Sequence, residues 1–239
     1  MYTIHSAPKD QKYEHFINCI YCLVRRYDTF FGPNEGTTFH AAATETTFEN
    51  LRKNFSVGQE NFASPFNCYF YRFNSAFPDT DGFFGSRGSF FDFYPTQGSF
   101  ETGPPYTEEV MEKMVLHIWK LLKEATGPLS FVVFVPNWRT PLARNQAIME
   151  GVETVNNEKF IFTRREILLS GKNYAYVAGD QHKKKVADDP EQRFFVLPFE
   201  TKLYFIQNDE ATQQWEITDQ KIENLEHILN DKREVEKIK

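Results

Sequence analysis

Gly98-Ser99-Phe100-Glu101-Thr102-Gly103-Pro104-Pro105-Tyr106 carries the strongest structural signal in the chain. It is an extended run that ends in two prolines and an aromatic ring and leads directly into a helical pattern. Each proline fixes its own φ near about −65°, and the residue before a proline is driven out of the α region, so the chain leaves Thr102 extended and stiff. Taken alone, Gly103 to Tyr106 is also a common loop exit, because proline is favoured in the first turn of a helix. The flanking sequence has to decide between a reactive edge and a simple turn.

Downstream, residues 107 to 124 read as a helix that carries Val110, Met114, Ile118, Leu121 and Leu122 inward. Thr107 stands where an N-cap is expected, and Glu108 and Glu109 complement the positive end of the helix dipole. Gly127-Pro128 ends the helix, and Leu129 to Val135 is the short apolar run that a buried central strand requires. Strand, helix and strand in this order imply a parallel crossover. Beyond it, Pro136-Asn137-Trp138-Arg139-Thr140-Pro141 sets an aromatic ring beside an arginine. That pair reads equally as a nucleotide contact and as a tryptophan sealing the core edge with Arg139 in solvent.

Upstream, the run from Val57 reads as a strand that leads into Phe62-Ala63-Ser64-Pro65-Phe66-Asn67-Cys68-Tyr69-Phe70. Small residues and a proline at that point suit the crevice at the carboxyl end of an α/β strand, and no GxGxxG fingerprint assigns it to a dinucleotide. Residues 74 to 92 form a long loop rich in Gly, Asp and aromatic rings, which argues for function over disorder. Asp79 and Asp81 lack the glutamate that an EF-hand needs at its twelfth position, so no metal site is expected.

At the ends of the chain, residues 9 to 30 give an amphipathic helix through Tyr13, Phe16, Ile20, Leu23, Val24 and Tyr27, and a second helical pattern carries Phe48, Leu51 and Phe55. Lys159 to Leu169 and Lys202 to Gln207 read as strands. Between them residues 171 to 190, with His182 and Lys183-Lys184-Lys185, read as a solvated loop. Residues 218 to 238 read as a closing helix. A chain of 239 residues can bury one substantial core, and 25 Phe with 11 Tyr supply most of it. Cys19, Cys22 and Cys68 make no disulfide framework, which points to a reducing compartment. No apolar stretch approaches the ~18 residues of a membrane span and no secretory signal stands at the N-terminus, so an intracellular protein is expected, away from membranes. A net charge of −6 leaves room only for local contacts with nucleic acid.

With these strings assembled, the chain resembles the catalytic domain of the phosphorylated-CTD-interacting-factor family, the cap-specific adenosine N6-methyltransferases. The carriers are Phe62 to Phe70, then Ser75-Ala76-Phe77-Pro78-Asp79-Thr80-Asp81-Gly82, Phe84-Gly85-Ser86-Arg87-Gly88, Gly98-Ser99-Phe100-Glu101 with Pro104-Pro105, Pro128-Leu129-Ser130-Phe131 with Pro136 and Trp138-Arg139, and Gln207-Asn208-Asp209 with Trp215. The resemblance implies an α/β, class I (Rossmann-like) S-adenosylmethionine-dependent methyltransferase with a mixed, mostly parallel sheet over residues 57–239. Residues 1–56 would be a remnant of the family's N-terminal helical domain, with a protein partner supplying the rest. The implied reaction moves a methyl group from S-adenosylmethionine to N6 of adenosine, with the 2′-O-methyladenosine next to the mRNA cap as the expected target, in the nucleus.

By the same resemblance Gly103, Pro104, Pro105 and Tyr106 are the catalytic segment, with Pro104 and its carbonyl orienting the amine and Tyr106 stacking on the base. Phe62, Ala63, Ser64, Pro65 and Asn67, together with Gly103, would hold the cofactor. Glu108, Trp138, Arg139, Thr140, Pro141 and Leu142 would hold the RNA. This sequence has Gly103 where the family has Asn, and Tyr106 where it has Phe. Either ring can stack, but Gly103 brings no side-chain acceptor for the amine, so the alternative is a catalytically inactive, methyltransferase-like RNA-binding or scaffold subunit of a larger complex.

Overall fold

A strand of eight consecutive buried residues needs a packed layer on each of its faces, and Leu129–Pro136 is such a strand. The computed structural model describes residues 9–32, 41–171, 174–179 and 188–230, and the molecule is built around that strand. In chain order come α1 (Lys9–Phe31), β1 (Ala41–Ala42), α2 (Glu45–Phe55), the single turn α3 (Pro78–Asp81), β2 (Gly98–Thr102), α4 (Glu108–Glu124) and β3 (Leu129–Pro136). Then follow α5 (Arg144–Met149), a hairpin of β4 (Thr154–Val155) and β5 (Glu158–Lys159), β6 (Thr163–Leu169), β7 (Ala175–Ala178), β8 (Phe194–Val196), β9 (Thr201–Gln207), α6 (Asp209–Gln214) and α7 (Asp219–Leu229).

The central sheet has the order β2-β3-β9-β6. β2 runs parallel to β3, with Gly98 opposite Leu129 and Thr102 opposite Val133, and α4 is the crossover between them. β9 runs antiparallel to both β3 and β6. These four strands therefore carry one parallel and two antiparallel interfaces, so the expected majority of parallel pairing is not found among them. The reason lies in where the chain re-enters: β9 begins beside the ends of both neighbours, with Thr201 opposite Pro136 and Leu169, so the excursion through β7 and β8 returns the chain at the end where β6 left it, with no crossover. Past β2 the sheet continues as single parallel bridges, Glu60 to Glu101, Phe73 to Glu60 and Ser86 to Phe73. The expected strand from Val57 is thus one bridged pass along β2, held by Glu101 N–H to Gln59 O at 3.0 Å and Asn61 N–H to Glu101 O at 2.9 Å.

Alternation along β3 distributes its residues between two cores. Val132 and Phe134, with Leu203, Phe205, Ile167 and Leu169, meet Phe48, Leu51 and Phe55 of α2 and Ile222, Leu225 and Leu229 of α7. Phe131, Val133 and Val135, with Phe100, Tyr204 and Ile206, meet Met111, Met114, Val115, Ile118, Leu121 and Leu122 of α4. α4 keeps the expected face except at Val110, which is only half-buried. Thr107 occupies the N-cap position but its side chain makes no capping hydrogen bond.

Two further expectations need correction. Residues 171 to 190 include β7, all four residues of which are buried, in an antiparallel sheet β1-β7-β8 that the polar flanks concealed. His182 and Lys183-Lys184-Lys185 lie outside the described residues. In α1 only Leu23 and Tyr27 of the expected apolar face are buried, while Tyr13 and Phe16 are exposed. Among the described residues no helix is long and apolar enough to cross a membrane, and no group of His, Cys, Asp or Glu side chains could hold a metal ion.

Candidate active site

β2 delivers the chain to a cavity. Gly103, Pro104, Pro105 and Tyr106, the residues that follow its last hydrogen-bonded position, all line a hollow of about 550 Å³. The bridged passes beside β2 contribute Glu60, Asn61, Phe62, Ala63 and Asn67 to its wall, and the loop over residues 74 to 92 contributes Ser75, Ala76, Ser89, Phe90 and Phe91. These are the carboxyl ends of neighbouring parallel segments, where α/β sheets open a crevice. The opposite wall comes from the N-terminal elements, through Tyr27, Phe30, Phe31, Phe48 and the alanines 41–43. Val110, half-buried on α4, faces this space as well.

Two carboxyl groups stand in this mainly aromatic and small-residue wall. Glu60 is 1% exposed and Glu101 5%, and as bridged neighbours on parallel segments they share a face of the sheet. Burial raises the Glu60 carboxyl to about 7, although its Oε1 accepts the N–H groups of Tyr69 and Phe70 at 2.8 and 2.9 Å. Burial, and then the charge of Glu60, push Glu101 well above the usual carboxylate range. The site therefore favours either protons on this pair or a cation beside it.

Tyr106 is half-buried and packs against both cores, with its ring edge-on to Phe199 at 5.9 Å. Its hydroxyl donates to the Tyr176 hydroxyl at 3.5 Å, a loose contact, and Tyr176 is itself within 2.5 Å of the Thr201 hydroxyl. Burial, reinforced by Tyr176, raises the Tyr106 hydroxyl so that it stays neutral. The ring is held from behind by packing while its segment remains on the cavity wall.

Of the residues expected at the cofactor, Phe62, Ala63, Asn67 and Gly103 reach the cavity. Ser64 and Pro65 are not on its wall. Ser64 is fully buried, and both its backbone N–H and its hydroxyl donate to Asn67 Oδ1, at 2.8 and 2.9 Å, so it shapes the turn. The residues expected at the RNA lie apart from the lining. Glu108 is exposed in the first turn of α4, Thr140 and Pro141 are exposed, and Trp138 packs against the core beneath α4. Arg139 is clamped by two hydrogen bonds to Glu150, at 2.7 and 2.8 Å, and Glu150 also accepts from Lys202 at 2.7 Å and Tyr204 at 2.6 Å. Burial works against ionisation of Glu150, but the bonds from Arg139, Lys202 and Tyr204 outweigh it and hold the group at about 2. Reading the sequence passed over Glu60, Glu101 and the aromatic wall from α1. Glu101 had a signal: it stands two residues before Gly103 on a strand and so shares its face.

The human (Homo sapiens) and mouse (Mus musculus) proteins named mRNA (2'-O-methyladenosine-N(6)-)-methyltransferase are each 39% identical to the chain over 223 residues. That match takes in 92% of this chain and 30% of each relative, so the chain spans under a third of the length of the curated relatives it matches. Residues 1–179 match the family described as "Phosphorylated CTD interacting factor 1 WW domain". With the greater part of its length so matched, this chain belongs to the phosphorylated CTD interacting factor 1 family.

Proposed function

We propose that this chain is a Rossmann-like, class I methyltransferase that moves a methyl group from S-adenosylmethionine to N6 of adenosine in RNA, with the 2′-O-methyladenosine next to the mRNA cap as its target. The observation that carries the reading is the delivery of Gly103-Pro104-Pro105-Tyr106 by a parallel strand into a 550 Å³ cavity with two carboxyl groups on its wall. Cavities of about 300–1,000 Å³ suit ligands of nucleoside size. The single bridges through Glu60, Phe73 and Ser86 support the fold assignment. They extend the sheet with parallel neighbours, so that β9 alone runs against the rest.

The residues fit the methyl donor by their chemistry. S-adenosylmethionine is a cation that brings a transferable methyl group on a sulfonium. Glu60 and Glu101 answer its charge, Phe62, Phe90 and Phe91 offer ring faces, and Ala63 leaves room for close approach. Pro104 fixes the backbone beside the amine, and Tyr106 supplies the stacking ring. Glu108 and the segment Trp138-Arg139-Thr140-Pro141-Leu142 would hold RNA outside the cavity, with Arg139 oriented by Glu150. Residues 1–56 act as the remnant of a helical domain completed by a protein partner, residues 57–239 form the methyltransferase-like unit, and the protein works in the nucleus.

Titration calorimetry with S-adenosylmethionine, followed by transfer of labelled methyl to capped RNA beginning with 2′-O-methyladenosine, tests this. Donor binding and N6-methyladenosine in the product are expected; no donor binding would overturn the reading. A second reading, an inactive RNA-binding or scaffold subunit, is favoured by one feature, the missing side chain at Gly103. Capped RNA bound with no transfer in the presence of bound donor would decide for it.

A further inference from the structure

Building on the methyltransferase reading, we propose that Glu101 accepts the N–H of the substrate amine in this cavity and takes its proton, a task that Gly103 has no side chain to perform. Positions 101 and 103 lie two apart on extended chain and so project from the same face. The Glu101 side chain runs forward along that face, and its Oε1 lies 2.8 Å from the position a Cβ on Gly103 would take. A carboxyl oxygen thus fills the space that a side chain at 103 would enter, on the cavity wall beside Pro104.

Glu101 is also the uncommitted acceptor of the pair. Glu60 Oε1 already receives two backbone N–H groups, whereas the Glu101 carboxyl takes no hydrogen bond from the described residues. A buried carboxyl without a donor is costly, and much of that cost is recovered when a ligand N–H arrives. During transfer the lone pair of the amine nitrogen makes the new N–C bond while the C–S bond breaks with its electrons left on sulfur. The proton that the nitrogen then sheds goes to the Glu101 carboxylate. Burial beside Glu60 increases the affinity of that oxygen for a proton, which suits a base working near neutral pH.

The test pairs binding with turnover. Calorimetry compares 2′-O-methyladenosine with the purine 2′-O-methylriboside that lacks the amine, on the wild-type, Glu101→Gln and Glu101→Ala chains, each checked by circular dichroism. Wild type should prefer the amine by roughly ten- to a hundredfold, the range for a hydrogen bond to a charged group, and Glu101→Ala should show no preference. Glu101→Gln keeps an acceptor oxygen and part of the preference, yet should transfer methyl about 10²- to 10⁴-fold more slowly because an amide takes no proton. This nearly isosteric variant carries the test alone if the alanine chain does not fold. No preference in wild type, the same preference in Glu101→Ala, or wild-type turnover in Glu101→Gln would overturn the assignment. Any of these in a chain that binds S-adenosylmethionine leaves the methyltransferase reading standing, whereas a wild type that binds no donor overturns both.

Discussion

A carboxyl group buried without a cation makes a protein sensitive to pH, and Glu60 is the residue here that shows it. Its folded-state value is raised from 4.5 to about 7, so between those values the unfolded chain has released the proton while the folded chain still holds it. Stability contributed by the protonated group is complete below about pH 4.5 and is lost as the pH rises through about 7. The shift corresponds to at most about 3 kcal/mol. Urea unfolding at pH 4.5 and pH 8 should therefore find Glu60→Gln close to wild type in acid and more stable than wild type in base, since the amide oxygen can still accept from Tyr69 and Phe70. A variant that tracks wild type at both pH values would show that Glu60 is solvated. Glu150 has the opposite sign: its value is depressed to about 2, so its contribution is present above about pH 4.5 and disappears as the pH falls through about 2.

Among the elements, two helix starts that look alike in sequence differ in what they hold. Thr107 makes no capping hydrogen bond at the head of α4, so Thr107→Ala should cost well under the ~1 kcal/mol of an ordinary cap. Asn208, ahead of α6, caps Ala211 N–H at 2.9 Å, accepts from Leu129 N–H at 3.1 Å and donates to Gly127 O at 2.9 Å. Asn208→Ala would strip partners from the turn between α4 and β3 and should cost roughly 2–3 kcal/mol. Equal melting temperatures for the two alanine variants would contradict this ordering. The loop after β3 depends on Glu150 in the same way. Glu150→Ala frees Arg139 and leaves buried Lys202 with Glu166 alone, which should cost roughly 1–3 kcal/mol and open the loop to proteolysis. Arg139→Ala, at a more exposed position, should cost under about 1 kcal/mol.

Across the whole molecule the cavity joins the N-terminal helices to the sheet: α1 and α2 provide one wall, and the sheet edge with its loops provides the other. A ligand that fills it should stabilise the assembled fold, by about 2.7 kcal/mol at a hundred times its Kd. Because the wall carries Glu60 and Glu101, a cationic ligand should bind more tightly as the pH rises through about 7, where Glu60 loses its proton. Thermal unfolding with and without S-adenosylmethionine at pH 6 and pH 8 reads this directly. A ligand-induced rise in Tm that is larger at pH 6 would contradict a charge-paired site.

Features that depend on near neighbours are legible in the amino-acid string. Gly103-Pro104-Pro105 stiffens the chain wherever it lies, the spacing of Met114, Ile118 and Leu121 makes a one-sided helix, and the unbroken apolar run from Leu129 demands cover on both faces. Those local facts, with the ordered strings that carry the family resemblance, were enough to locate the β2, α4 and β3 unit and the edge of the cavity. Features that depend on distant partners emerge with the folded chain. β7 is buried because β1, far back along the chain, and β8 pair with it, and the N-terminal part of the α1 face that reads as apolar stays largely exposed, with Phe16 in loose contact with Phe84. The pairing of Glu60 with Glu101 is of the same kind: 41 positions separate them, so only the sheet could bring two carboxyl groups into one dry wall and change the proton affinity of each.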